Sequence, residues 1–159
     1  MPSARLKQRL DEHHIRYVSV VHSLAYTAQE IAALVHVPGR AMAKSVVVLL
    51  DDALALAVIP ASLQVDLTAL KKLAGAAKIE LASERDFRTA FPDCETGAMP
   101  PFGTLYGLPT YVDERLRGDE ICFNAGSHRE LLRLPWADFE RLEAPILGNI
   151  ATTIRHAAA

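Results

Sequence analysis

Cysteine is scarce in this chain. Cys94 and Cys122 are the only two among 159 residues, with no C-x-x-C pair and no framework of the kind that staples small secreted domains. Both thiols are therefore expected to be reduced, one in a loop and one inside an apolar strand. Long apolar runs are also missing: no stretch reaches 18 residues, and Met1, Pro2, Ser3, Ala4 and Arg5 lead into a charged amphipathic segment. Neither a membrane span nor a secretory leader is expected, and a cytoplasmic location follows by default. An excess of positive charge is absent too. The formal net charge is −2 and the pI about 6.3, which argues against a protein that coats duplex nucleic acid by neutralising phosphates, and against sequence-specific DNA binding. A protein gripping only a nucleic-acid terminus needs few cations, and Arg5, Lys7, Arg9, Lys71, Lys72, Arg85, Arg88, Arg129 and Arg133 can supply them.

The familiar catalytic signatures are missing as well. There is no G-x-S-x-G, no H-E-x-x-H and no glycine-rich nucleotide fingerprint. His13, His14, His22 and His36 lie on different predicted elements without paired ligand spacing, so no metal site and no cofactor are expected. As a thiol nucleophile Cys94 would need a nearby base, and the expected reading is a plain loop cysteine.

What is present is a compact, moderately apolar composition. Hydrophobic residues make up 50% and charged residues 23%, enough for one core without disulfide or metal staples. We expect a single domain over 1–159, with a frayed tail from Ile150 onward. Leu6, Leu10 and His14 have helical spacing, and 16–21 turns to β-rich composition. Thr27-Ala28-Gln29-Glu30 is a capping box opening a helix through Ile31, Leu34 and Val35, which Pro38-Gly39 ends. Two apolar runs, 44–50 and 53–59, meet at Asp51-Asp52 and form a hairpin candidate buried on both faces. Asp66 caps a helix carrying Leu67, Leu70 and Leu73, with Gly75 at its C-cap. A strand is expected over 77–81, then a helix capped by Ser83 that stacks Phe87 on Phe91 and stops at Pro92. Strands over 110–113, 121–124 and 131–134 and a closing helix over 136–142 complete the chain. Strands and helices intersperse without regular βαβ alternation, which predicts an α+β fold.

Three segments carry chemistry. Lys44 opens an apolar strand, where its ammonium can reach a polar mouth while its stem packs on apolar surface; a strand-end lysine that merely snorkels has the same pattern. Gly97-Ala98-Met99-Pro100-Pro101-Phe102-Gly103 is a stiff loop. Glycine there admits close approach of a ligand to the main chain, and the two prolines freeze φ while leaving backbone donors only before them, at Gly97, Ala98 and Met99. The third segment is the small-residue turn Gly126-Ser127-His128, whose histidine reads equally as a pocket-closing side chain and as a surface or capping residue.

This ordered set resembles the YbaK/ProX family of free-standing aminoacyl-tRNA deacylases, which includes the editing domain inserted in bacterial prolyl-tRNA synthetases. The marks are a lysine at a strand start, a G-x-x-x-P loop and a G-x-x-H or related turn, here Lys44, Gly97 to Pro101, and Gly126 with Ser127 and His128. The resemblance runs from Leu6 to Leu142. It implies a mixed, strongly curved or barrel-like sheet of about seven strands with surrounding helices. It also implies hydrolysis of a small amino acid such as Ala, Ser or Thr from mischarged tRNA, in which water attacks with help from the vicinal ribose hydroxyl. Lys44, Gly97 and His128 are then the expected catalytic positions. Ala98, Met99, Pro101, Phe102, Gly103, Gly126, Ser127, Tyr26, Met42 and Ser45 are the expected substrate contacts. Several members that clear alanine from proline tRNA carry Asn after the lysine, where this chain has Ser45, so the amino acid cleaved stays open. The implied partner is a tRNA acceptor end, with a synthetase partner left open. The alternative is a non-catalytic module that binds aminoacylated ends or an amino-acid-like ligand.

Overall fold

The structure is a computed structural model that describes residues 4–23 and 41–154. The predicted helix over 27–35, Tyr26 and His36 lie outside the described residues. Among the described residues no helix is long and apolar enough to cross a membrane.

Helix α1 (Ala4–Glu12) buries Leu6 and Leu10, one turn apart. It stops before His14, expected on the helix but found with φ 55° in the turn that delivers Ile15 to the core. Strand β1 (Val18–Val21) follows. Strands β2 (Met42–Leu50) and β3 (Ala53–Pro60) form the expected hairpin, in register from Ala43 opposite Pro60 to Leu50 opposite Ala53. Its two-residue turn puts Asp51 and Asp52 at φ 48° and 67°, the double left-handed geometry that matches strand twist. The Asp51 carboxylate accepts from the amides of Ala77 and Lys78. Residues 55–60 are buried without interruption because both faces are covered: Leu56 and Val58 enter the main core, while Ala55, Ala57 and Ile59 enter a second one.

Strand β4 (Leu63–Val65), helix α2 (Leu67–Ala74), strand β5 (Ile79–Leu81) and the one-turn helix α3 (Glu84–Phe87) come next. Asp66 caps α2 through the Ala69 amide and Gly75 closes it at φ 67°. Ser83 and Asp86 make a reciprocal capping box on α3. That helix is shorter than expected: Phe91 lies beyond it, although its ring still meets Phe87 edge-on at 6.5 Å. Strands β6 (Thr110–Asp113), β7 (Glu120–Asn124) and β8 (Glu130–Pro135), helix α4 (Trp136–Glu143), and strands β9 (Ile146–Gly148) and β10 (Ala151–Thr153) finish the described chain.

Among the described residues the main sheet has eight strands, in the order β1-β8-β7-β2-β3-β6-β9 with β5 as a branch on β2. It mixes parallel pairs (β2/β7, β3/β6, β6/β9) with antiparallel ones. It is curved and, among the described residues, open, since β1 and β9 end the path and do not pair with each other. Strand β2 is forked: along the edge away from β3, Met42 and Ala43 pair with β7, whereas Val48, Leu49 and Leu50 pair with β5. The fraying predicted from Ile150 to the end does not hold for residues 150–154, and the rest of that tail lies outside the described residues. Ile150 is fully buried, its amide donates to Asp113 Oδ2 at 2.9 Å, and β10 pairs with β4 in a second, two-stranded sheet.

Candidate functional site

Local geometry joins two of the three predicted segments directly. The Gly126 amide donates to the Ala98 carbonyl at 2.8 Å, and the Glu95 amide donates to the Gly126 carbonyl at 2.8 Å. Gly97 and Gly126 adopt φ 83° and 89°, the left-handed region that glycine enters without a Cβ penalty. His128 Nε2 lies 2.8 Å from the Thr96 carbonyl oxygen. A carbonyl only accepts, so this nitrogen carries hydrogen and donates. His128 therefore fastens the turn to the loop through Nε2, which leaves Nδ1 as the ring atom able to accept. Ser127 is engaged locally as well, its Oγ accepting from the Arg129 amide at 3.0 Å.

The third segment sits one strand away. Ala43 pairs with Phe123, so Lys44 falls at the level of Asn124, where β7 ends and the 125–128 turn begins. Its side chain is half-buried, and burial alone holds its pKa below the usual 10.5. Strand alternation gives Lys44 the face of Met42 and Val46, and gives Ser45 the face of Ala43 and Val47. The Ser45 hydroxyl is buried without a hydrogen-bond partner among the described residues. It lies in the stretch of β2 between its β7 and β5 pairings.

Several expected substrate contacts occupy other places. Phe102 is fully buried, its ring edge-on to Phe123 and Phe139 at centroid distances of 5.7 and 5.2 Å; it anchors the loop in the core and offers no face to a ligand. Met99 joins the same core, and Met42 packs in a small cluster with Ala41, Cys122 and Leu131. Ala98 and Pro101 are buried, and the Ala98 amide is already taken by the Glu95 carbonyl at 3.0 Å. Of the three amides before the prolines, those of Gly97 and Met99 have no acceptor among the described residues. Gly103 serves close packing: a Cβ there would fall against Thr110 Oγ1 and 2.8 Å from the Leu108 carbonyl oxygen.

Sequence reasoning missed a buried carboxylate behind the loop. Glu143 Oε2 accepts from the Thr104 amide at 3.1 Å and from Thr110 Oγ1 at 2.6 Å, while its Oε1 accepts from Thr104 Oγ1 at 2.5 Å. Burial pushes its pKa up, against the lowering effect of these bonds and of Arg9. No motif announces it, because at the end of an amphipathic helix a glutamate reads as a solvated residue. The cysteines are poor nucleophiles. Burial raises Cys94 to about 11 and Cys122 to about 12, leaving little thiolate near neutrality. Among the described residues no three His, Cys, Asp or Glu side chains converge as a metal site would require.

Helix α1 touches both sides of this assembly. Lys7 pairs with Glu130 at 2.7 Å, at the start of β8. Arg5 donates to the Leu105 carbonyl at 2.7 Å and Arg9 to Thr104 Oγ1 at 2.9 Å, just past the loop. Arg5 and Arg9, spaced by four, share one face of α1, and His13 follows them in the turn just past the helix. They line a cleft of about 340 Å³, and Arg9 and His13 extend with Arg141 into a second of about 240 Å³.

Residues 22–142 match the model of the aminoacyl-tRNA editing domain, well over half the chain and spanning Lys44, the glycine-proline loop and the Gly126 turn. This chain belongs to the aminoacyl-tRNA editing domain family. It is 36% identical over 100 residues to the multifunctional Ser/Thr-tRNA deacylase ProXp-y of Escherichia coli (strain K12), an alignment covering 62% of this chain and 59% of that relative. The editing-domain fold recurs in solved structures. A proposed trans-editing enzyme for prolyl tRNA synthetase superposes with a TM-score of 0.81 at 22% identity, over 95% of this chain and 97% of that one. The hypothetical protein APE2540 does so with a TM-score of 0.80 at 18% identity, over 93% and 99%.

Proposed function

We propose that this chain is a trans-editing hydrolase that cleaves the ester joining a misattached small amino acid to the terminal ribose of a tRNA. The observation that carries the reading is the hydrogen-bonded junction of the Gly97 loop with the Gly126 turn, inside the segment that matches the editing domain. Water adds to the ester carbonyl carbon, and the carbonyl oxygen becomes an oxyanion. The C–O bond to ribose then breaks, the ribose oxygen takes a proton, and free amino acid leaves. An activated ester needs no protein nucleophile, so the protein's contribution is preorganised charge and shape. The Lys44 ammonium supplies positive charge at the reacting end of the RNA. The Gly97 and Met99 amides are the donors available to a developing oxyanion. His128 positions the loop, with Nδ1 free to hold water.

For the substrate we assign seryl and threonyl esters first, after the activity named for the Escherichia coli relative, with alanyl esters as the comparison. The partner is the acceptor end of tRNA, and Arg5 and Arg9 on α1 are the cations suited to its phosphates. A panel of tRNAs, proline tRNA included, each charged with serine, threonine, alanine or its own amino acid, tests the reading by release of labelled amino acid. Turnover of at least one mischarged tRNA, with correctly charged tRNAs spared, is expected. Binding of charged tRNA without release of amino acid from any member would overturn it in favour of a non-catalytic binding module.

A further inference from the structure

Glu143 has no part in the chemistry above, yet it is the side chain on which the far end of the loop hangs. It is the last residue of α4 and 3% exposed, on the helix face that carries Trp136 and Phe139 into the core. A leucine would fill such a place by packing alone. A carboxylate persists in apolar surroundings only where its oxygens are hydrogen-bonded, and here both oxygens are. Two of the three donors come from Thr104, which follows the loop directly. The third is Thr110 Oγ1, which in turn accepts from the Gly103 amide at 3.0 Å. At the surface Arg9 donates to Thr104 Oγ1. A continuous chain of hydrogen bonds thus runs from α1 through Thr104 and Glu143 to Thr110 on β6 and to Gly103.

The loop is therefore held at two places. Its beginning is fastened to Gly126 and His128, and its end to Glu143. Between the two, Pro100 and Pro101 fix φ, so a shift at Gly103 has little soft backbone to absorb it before Met99 and Gly97. We propose that Glu143 is a positioning residue: it clamps the Gly103 end of the 97–103 loop and so sets the aim of the Gly97 and Met99 amides at the ester. The proposal rests on the deacylase reading given above. It assigns Glu143 no contact with substrate.

Three variants test it, each measured for thermal midpoint, single-turnover deacylation, tRNA affinity and amide hydrogen exchange at residues 97–104. Glu143→Leu keeps the volume and removes every acceptor. Glu143→Gln keeps the arrangement: its carbonyl can accept from Thr104 N and Thr110 Oγ1, and its amide can donate to Thr104 Oγ1. Thr110→Val, close in shape, removes only the bond to Gly103 and the relay to Glu143, and carries the test if the leucine variant fails to fold. For Glu143→Leu the expected result is a turnover rate at least about tenfold lower, with tRNA affinity within about twofold and Gly103 and Thr104 amides exchanging at least about tenfold faster. Glu143→Gln should restore both rate and protection, and Thr110→Val should expose the Gly103 amide and slow turnover. Wild-type turnover by folded Glu143→Leu or Thr110→Val, or wild-type amide protection in either, overturns the proposal. If the wild-type protein deacylates nothing, the functional reading falls by itself, and the exchange data still decide the clamp.

Discussion

At the scale of single residues, Lys44 and Gly97 make separable demands. A half-buried lysine whose pKa is lowered by burial alone is an ammonium kept where it is poorly solvated, which is worthwhile where an anion is to be met. Lys44→Ala should cut deacylation by roughly 100-fold or more while the fold survives; a folded variant with near wild-type turnover would take Lys44 out of the mechanism. The lowered pKa also fixes a pH dependence. Lys44 loses its proton below the usual 10.5, so turnover that needs the ammonium should fall on an alkaline limb beginning below that value, once uncatalysed ester hydrolysis is subtracted. A pH–rate profile flat up to 10.5 would contradict this. For Gly97 the cost of a side chain can be apportioned in advance. A Cβ there would touch the His128 ring at ordinary contact distances of 3.5 and 3.7 Å, so Gly97→Ala should lose stability only through its φ of 83°, about 1 kcal/mol. A loss of single-turnover rate well beyond that, read beside the thermal midpoint, marks approach of substrate to the Gly97 backbone. Parallel losses would reduce Gly97 to a turn residue.

Secondary-structure elements show how far local signals reach. The β2–β3 hairpin, the Asp66 and Gly75 caps of α2 and the Ser83 cap of α3 were legible because each is written in a few adjacent residues: continuous apolar runs around Asp51-Asp52, a capping side chain three residues before its amide, or a glycine just past the helix. Strands β4, β9 and β10 were not. Each is only three residues long and gains its stability from a distant partner, β10 from β4 and β9 from β6. The same limit governed the site. Lys44, Gly97 and Gly126 stand out by residue type and neighbours, whereas the burial of Phe102 and the bonds of Glu143 are products of packing. A glutamate following Trp136 and Phe139 at helical spacing is an apolar face with one odd member, and that oddity was the available signal. The C-terminal strand gives a test at this scale. Ile150 is fully buried, so Ile150→Ala should destabilise by about 2–4 kcal/mol, measured by urea denaturation. A change under about 0.5 kcal/mol, the usual range for an exposed site, would mean that the tail is frayed after all.

The whole molecule carries slightly more negative than positive charge, so on the proposed reading attraction to RNA has to come from placement. Arg5 and Arg9 lie on one face of α1 beside two clefts, and each guanidinium is steadied by a bond to the 104–105 backbone or side chain, with Arg5 also over the Tyr106 ring. Replacing both by alanine should weaken tRNA binding and reduce the slope of log affinity against log salt by about 1–2. An unaltered salt slope would place the phosphates elsewhere. The fork in β2 has a consequence of another kind. Its hairpin with β3 closes through a local turn, so it can form while the ribosome is still synthesising the chain. The opposite edge must wait: β5 comes soon, but β7 belongs to the last third of the sequence, and β1 waits longer still for β8. Until then a nascent chain presents β2 with an unpaired apolar margin, open to pairing with a neighbouring copy. Chains stalled after β3 and before β7 should therefore aggregate more readily than the full-length protein, most of all those too short to include β5, as pelleting of ribosome-released truncations would show.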